Sequence, residues 1–304
     1  MPNWGDLLEE IHTLGSTYDI VRRNYLKNLH DITQRNIIIY YSGWLQKPNV
    51  LGTEMSDVDM EGFMTVIHRL DLKKGLDLIL HTPGGQVTAT ESLVEYLRKM
   101  FDTDIRAFVP QLSMSAGTMI ACACKEIFMG AHSSLGPIDP QVLYPGMGFI
   151  PAHGVVEEFE TAQKEIAKDP NSIAIWQLAL SKYPPAFIGE CQKAIELANE
   201  IVTKWLRTGM FQNLSGKEQD EKSEEVVKTL ADHTLSKTHD RHFTSDYCET
   251  IGLKIVHLED DIKLQDAVLS VHYACIHTLT ATPASKIVEN HEGKAFIQTL
   301  PQGS

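Results

Sequence analysis

Two short stretches hold residue types that could carry out nucleophilic chemistry. The first is Thr82-Pro83-Gly84-Gly85, just after the apolar run Leu76–Leu80. Paired glycines let a backbone turn sharply and bring its N–H groups against a ligand. A developing oxyanion needs donors aimed in this way. The second is Met114-Ser115-Ala116-Gly117-Thr118, between the apolar run Ile105–Val109 and a small-residue segment that reaches Cys124. A serine at a helix N-terminus sits at the positive end of the helix dipole. Small neighbours leave its hydroxyl accessible, and the N–H that follows can face the same oxyanion. Each stretch also has a plainer reading, an ordinary turn for Pro83-Gly84-Gly85 and an N-cap for Ser115. Ser113 competes for that cap, and if it takes it Ser115 is freer to react.

The elements that must position these groups are legible as a βα rhythm. Apolar runs predict strands at Asn36–Ser42, Leu76–Leu80, Ile105–Val109, Glu126–Met129 and Leu253–Leu258. Helical spacing predicts helices over 5–32, Asp57–Leu70, Thr88–Met100, Ser115–Cys124 and Asp266–His277. Strands alternating with helices at this spacing imply parallel β-structure with helical crossovers. Residues 145–154, rich in Pro and Gly, read as a loop. Helix dominates from Val155 to Asn213, with a break near Tyr183-Pro184-Pro185. The charged stretch Ser215–Lys228 reads as solvated, and the chain after Thr278 has no clear pattern.

Together, Leu78-Ile79-Leu80-His81-Thr82-Pro83-Gly84-Gly85 and Ser113-Met114-Ser115-Ala116-Gly117-Thr118 resemble the Clp protease/crotonase superfamily. Leu135-Gly136-Pro137-Ile138-Asp139-Pro140-Gln141, Thr238-His239-Asp240 and Ile251-Gly252-Leu253 make the chain similar to its serine dehydrogenase proteinase branch. The resemblance implies an α/β fold of the ββα spiral type with a mostly parallel sheet. An N-terminal helical arm (1–35) and a C-terminal helix and tail (261–304) would flank a peptidase domain (36–260) carrying a helical insertion at about 155–230. It implies Ser115 as nucleophile, Gly84, Gly85 and Ala116 around the oxyanion, Asp139 as the acid and His239 as the base. Asp139 could instead stabilise a turn, and His239 could belong to a solvated loop. His242, His132 and His153 are rival bases. A serine–lysine dyad is the other mechanism, with Lys164, Lys168 or Lys193 as base once desolvated.

The implied function is a serine hydrolase cleaving proteins or peptides, ATP-independent or assisted by a partner protein that delivers substrate. A catalytically silent scaffold and a crotonase-like acyl-CoA enzyme are the alternatives. Family practice implies a homo-oligomer. The net charge of −13 and pI near 5.4 argue against nucleic acid as a partner. No apolar run approaches the roughly 20 residues that span a bilayer. With no signal peptide evident, the cytoplasm is the expected compartment. The five cysteines fit reduced, buried thiols, and neither a metal site nor a cofactor is expected.

Overall fold

The computed structural model describes residues 18–144, 146, 148–232 and 238–300. The expected N-terminal arm lies outside the described residues up to residue 17; the rest of it is mainly helix α1 (Tyr18–Thr33). The chain then runs through β1 (Asn36–Ser42), α2 (Asp59–Ile67), β2 (Leu76–His81), α3 (Val87–Phe101), β3 (Ile105–Val109), β4 (Leu112–Ser113), α4 (Ala116–Cys122) and β5 (Glu126–Met129). Next come β6 (Ser134–Leu135), β7 (Gln141–Tyr144), β8 (Gly148–Pro151), α5 (Ala152–Lys168), α6 (Ile173–Leu180), α7 (Phe187–Thr208) and α8 (Gly216–Ala231). The chain closes with β9 (Phe243–Thr244), α9 (Ser245–Thr250), β10 (Ile255–His257), α10 (Ile262–Ala281), β11 (Ala284–Asn290) and β12 (Ala295–Thr299).

The fold is mixed α/β, with a central sheet ordered β10-β5-β3-β2-β1-β11-β12. Strands β10 to β1 are parallel to their neighbours, and β11 and β12 add antiparallel at the far edge. A parallel sheet must be covered on both faces, so its strands read as continuous apolar runs. Strand β1 divides its side chains accordingly. Ile37, Ile39 and Tyr41 pack with Leu26 and Leu29 of α1 and Val268, Val271 and Leu279 of α10. Ile38 and Tyr40 join the larger core with Phe63 of α2, Leu93 and Leu97 of α3, and Trp205 of α7. All five cysteines are free and buried, and burial alone pushes the Cys248 thiol up to about 12.

Three stretches depart from the sequence expectation. Part of the Pro- and Gly-rich segment is strand β8, paired antiparallel with β7 just before the segment, and Ala152 already begins α5. The charged stretch is helix α8, solvated on one face only, with Val226, Val227, Leu230 and Ala231 buried on the other. The chain after α10 is two strands rather than a tail, and β11 is buried along its whole length. Its pattern is Ala-Ser-Lys-Ile-Val-Glu-Asn, and its polar members are buried with partners. Glu289 takes Arg22 and Arg23 of α1, and Asn290 Nδ2 donates to the Val66 carbonyl at 2.6 Å.

Candidate active site

Both chemistry-bearing stretches leave the sheet at the C-terminal ends of its parallel strands, where open α/β folds place their sites. Beyond β2, Thr82 pairs with Ser113 as an isolated parallel bridge, through Thr82 N–H to the Leu112 carbonyl (3.2 Å) and Met114 N–H to the Thr82 carbonyl (3.0 Å). The turn and the serine segment are thus fixed side by side by backbone bonds alone.

The Pro-Gly-Gly turn lies against Ser115. A Cβ built on Gly84 would fall 2.7 Å from Ser115 Cβ and 3.0 Å from Ala116 N, and Gly84 holds φ +108°. No other residue type fits that approach. The Gly84 N–H donates to Thr82 Oγ1 at 3.1 Å, so it is already engaged. This narrows the expected donor set. Met55 bridges to Gly85 in parallel fashion, with Met55 N–H donating to the Gly84 carbonyl (2.8 Å) and Gln86 N–H to the Met55 carbonyl (3.0 Å). In such a bridge the central residue turns its own N–H away from the partner strand. Among the described residues, neither Gly85 N–H nor Ala116 N–H has a hydrogen-bond acceptor. These two donors, and not Gly84, are the ones left to meet an oxyanion.

Ser115 stands at the N-cap of α4 with φ +48° and ψ −111°, and its side chain makes no cap bond. A non-glycine residue at positive φ is strained by about 1–3 kcal/mol, and such strain collects at functional sites. Ser113 does not take the cap either. It is fully buried, its Oγ has no partner, and Gly117 N–H turns to the Met114 carbonyl instead. The hydroxyl of Ser115 is therefore uncommitted and half-buried.

A three-stranded sheet, β4-β6-β9, gathers the remaining groups. Strands β4 and β6 are parallel, β6 and β9 antiparallel, and Leu135 pairs with both Ser113 and Phe243. The chain leaving β4 toward Ser115, the chain leaving β6 toward Asp139 and the chain entering β9 from His239 therefore share one end of this sheet. Thr118 of α4 locks the arrangement. Its Oγ1 accepts the Gly136 N–H at 2.9 Å and lies within hydrogen-bond reach of the Ser113 and Gly136 carbonyls. The sequence signal for Thr118 was slight, a single hydroxyl inside a run of small apolar residues.

Asp139 and His239 meet directly. His239 Nδ1 lies 2.8 Å from Asp139 Oδ1. The Asp139 side chain is fully buried, and that of His239 is 22% exposed. With Nδ1–H given to the carboxylate, Nε2 is left as a proton acceptor. Among the described residues no hydrogen bond joins Ser115 to His239. Catalytic hydrogen bonds are often long without substrate and tighten in the complex.

His242 and His132 are exposed, and His153 lies half-buried at the start of α5. Lys164 and Lys193 are 78% and 72% exposed at their side chains and pair with Glu160 and Glu190; Lys168 ends α5, also exposed. None of these lysines is desolvated, as a lysine base requires. His81, which sequence reasoning passed over, sits under the turn among Tyr41, Trp44 and His272. Burial, and then the neighbouring His272, hold it well below the ordinary histidine range. Burial likewise brings His272 down to about 3. His272 Nδ1 lies 3.1 Å from the Tyr41 hydroxyl, and the two imidazole rings meet edge to face. Beside Pro83 a cavity of about 430 Å³ opens, with Trp44, Leu45, Val50 and Leu51 in its wall and Glu54 at its rim. Among the described residues there is no metal-binding cluster, and no helix is long and apolar enough to cross a membrane.

The geometry predicts how the two glycines fail. A Cβ on Gly85 would lie 2.2 Å from the Met55 carbonyl oxygen and 2.4 Å from its nitrogen, which are backbone atoms. Gly85→Val is expected to lose about 3 kcal/mol or more of stability in urea unfolding. Gly84→Ala pushes on Ser115 itself and is expected to lower reactivity of that hydroxyl at least tenfold in a protein that still melts cooperatively. Full reactivity in Gly84→Ala would show that the close approach is not needed.

A family model described as ClpP-like SDH-type serine proteinase matches residues 54–261. Two relatives from Methanocaldococcus jannaschii, the uncharacterized proteins MJ0137 and MJ1495, are 30% and 27% identical over 197 residues. Each match covers 65% of this chain and 59% or 57% of the relative, so the chain spans less than two thirds of the relatives' length. Among solved structures, a mutant of the 1510-N membrane-bound stomatin-specific protease matches with a TM-score of 0.42 and 16% identity, over 70% of this chain and 79% of that one. The chain belongs to the family of ClpP-like SDH-type serine proteinases.

Proposed function

We propose that the chain is a serine endopeptidase working through an acyl-enzyme on Ser115, with His239 as base and Asp139 as its orienter. The observation that carries this reading is the Asp139–His239 bond at the end of the small sheet that also delivers Ser115. In the reaction, His239 Nε2 takes the Ser115 proton as Oγ attacks the scissile carbonyl. The tetrahedral oxyanion forms against Gly85 N–H and Ala116 N–H. Collapse expels the amine, which takes the proton from His239, and water then repeats the sequence on the ester. Asp139 fixes the ring and stabilises its charged form without taking the proton. The order Ser, Asp, His along the chain is immaterial, because roles are set by geometry.

The exposed lysines weaken the dyad reading, and membership of a serine proteinase family weakens both the acyl-CoA reading and the silent scaffold. Peptide or protein is the substrate class, reached with or without a delivering partner. Self-association is part of the same proposal. Helix α6, Ile-Ala-Ile-Trp-Gln-Leu-Ala-Leu, buries no residue, and Ile175 and Leu178 are 74% and 71% exposed. An exposed apolar patch of this kind is the mark of an interface.

Ser115→Ala is expected to abolish hydrolysis of a casein or fluorogenic peptide substrate while keeping the wild-type melting temperature. Asp139→Asn and His239→Ala should each lower kcat by about 10⁴-fold. Lys164→Ala, Lys168→Ala and Lys193→Ala should stay within about tenfold, or 1.4 kcal/mol of barrier. Normal activity in His239→Ala together with a dead lysine variant would move the base to that lysine.

The self-association half of the proposal is checked by sedimentation velocity. Ile175→Asp/Leu178→Asp should shift the wild-type oligomer to a smaller species. A wild-type protein that sediments as a monomer at high concentration would rule it out.

A further inference from the structure

A buried charge pair lies one layer behind the oxyanion turn. Lys286 of β11 and Asp59 of α2 are each 1% exposed at their side chains, with Lys286 Nζ 2.8 and 3.0 Å from the two carboxylate oxygens. Removing two charges from water costs several kcal/mol per ion, and apolar residues of similar volume often serve stability as well or better. Stability alone therefore does not account for the pair, and its other hydrogen bonds show what it holds.

Two of those bonds reach the segment that carries Met55. Lys286 Nζ donates to the Glu54 carbonyl at 2.8 Å, and Asp59 Oδ2 accepts the Ser56 N–H at 2.9 Å. Met55 is thus gripped from the residue before it and the residue after it. Ser42, the register partner of Lys286 across β1 and β11, adds a bond from its Oγ to the Thr53 carbonyl at 2.6 Å. Tyr40 OH donates to Asp59 Oδ2 at 3.1 Å and completes the carboxylate's shell. Met55 in turn holds the catalytic turn by its two backbone bonds, to Gly84 and Gln86, on either side of Gly85. The direction of the Gly85 N–H follows from those two bonds.

We infer that Asp59 and Lys286 are positioning residues for the oxyanion turn: the buried pair braces Met55, and Met55 fixes the direction of the Gly85 N–H. The inference rests on the serine hydrolase reading of Ser115. It gives the antiparallel strand β11, outside the segment matched by the family model, a part in the chemistry. Neither side chain touches the Pro-Gly-Gly turn by a hydrogen bond of its own, so the effect travels through Met55.

The test is the double variant Asp59→Leu/Lys286→Met, which replaces the pair by apolar side chains of similar volume and so keeps the core filled. It should melt cooperatively, keep KM for a fluorogenic peptide within about threefold, and lose about 30- to 100-fold in kcat, because a small misplacement of reacting groups suffices for that. The Gln86 amide, bonded to Met55, should exchange with deuterium at least about tenfold faster, while the Phe108 amide in β3 stays protected. Tyr40→Phe, which removes one hydroxyl, should lower kcat about three- to tenfold with KM unchanged. A folded double variant with wild-type kcat overturns the brace. Should the double variant fail to fold, Tyr40→Phe decides, and wild-type kcat there overturns it. Fluorophosphonate labelling of the wild type separates this from the parent reading. If Ser115 does not label, the hydrolase reading fails, and Gln86 exchange alone then decides whether the pair braces the turn.

Discussion

The site depends on one contact, the Gly84 backbone resting on the Ser115–Ala116 peptide. A single added methyl at Gly84 would fall inside van der Waals range of Ser115 Cβ, Met114 O and Ala116 N. That approach brings the turn against the start of α4, and it is possible only because position 84 has no side chain and can hold positive φ. Much around it serves to keep that contact in register. The Thr82–Ser113 bridge fixes the two strands, and Thr82 Oγ1 occupies the Gly84 N–H so that the turn cannot rotate. Gly117 is held to glycine for the same reason, since a Cβ there would meet Ser113 Oγ at 2.4 Å and Thr82 Cγ2 at 2.5 Å.

A second level of organisation brings Asp139 and His239 together. The large sheet positions the turn and the serine, but Asp139 and His239 come from segments 100 residues apart in the chain. The small sheet β4-β6-β9 resolves this with only two residues per strand. Because one of its pairings is parallel and the other antiparallel, exits and entrance fall at the same end. Asp139 is fully buried with one oxygen on His239 and the other without a hydrogen-bond partner. A buried polar oxygen without a donor is costly, and such costs persist at sites where orientation of a partner is what matters.

Much of the fold could be read from the sequence because parallel strands are apolar on both faces. Asn36–Ser42 and Ile105–Val109 were legible to the residue. Strand β11 was not, because four of its seven buried residues are Ser285, Lys286, Glu289 and Asn290. The partners of Lys286, Glu289 and Asn290 lie on α1, α2 and the loop before α2, more than 200 residues away, and no local pattern encodes such pairings. Strand β8 was missed for a different reason, since its own Gly148 and Pro151 read as loop and its side chains are only partly buried. Within the site, the turn and Ser115 were readable because each needs particular residue types at adjacent positions. Asp139 and His239 came from family resemblance alone, and the spacing between them carries no signal. That Thr82 Oγ1 accepts the Gly84 N–H is likewise invisible in the sequence.

The central claim is that Ser115 faces two free backbone donors with His239 behind it. The most direct measurement is a crystal structure of the protein after reaction with a fluorophosphonate or a peptide boronic acid. The account predicts a covalent bond to Ser115 Oγ, an adduct oxygen about 2.7–3.1 Å from both Gly85 N and Ala116 N, and His239 Nε2 within hydrogen-bond reach of the adduct. An adduct on another residue, or one on Ser115 whose oxygen points away from those two nitrogens, would contradict it.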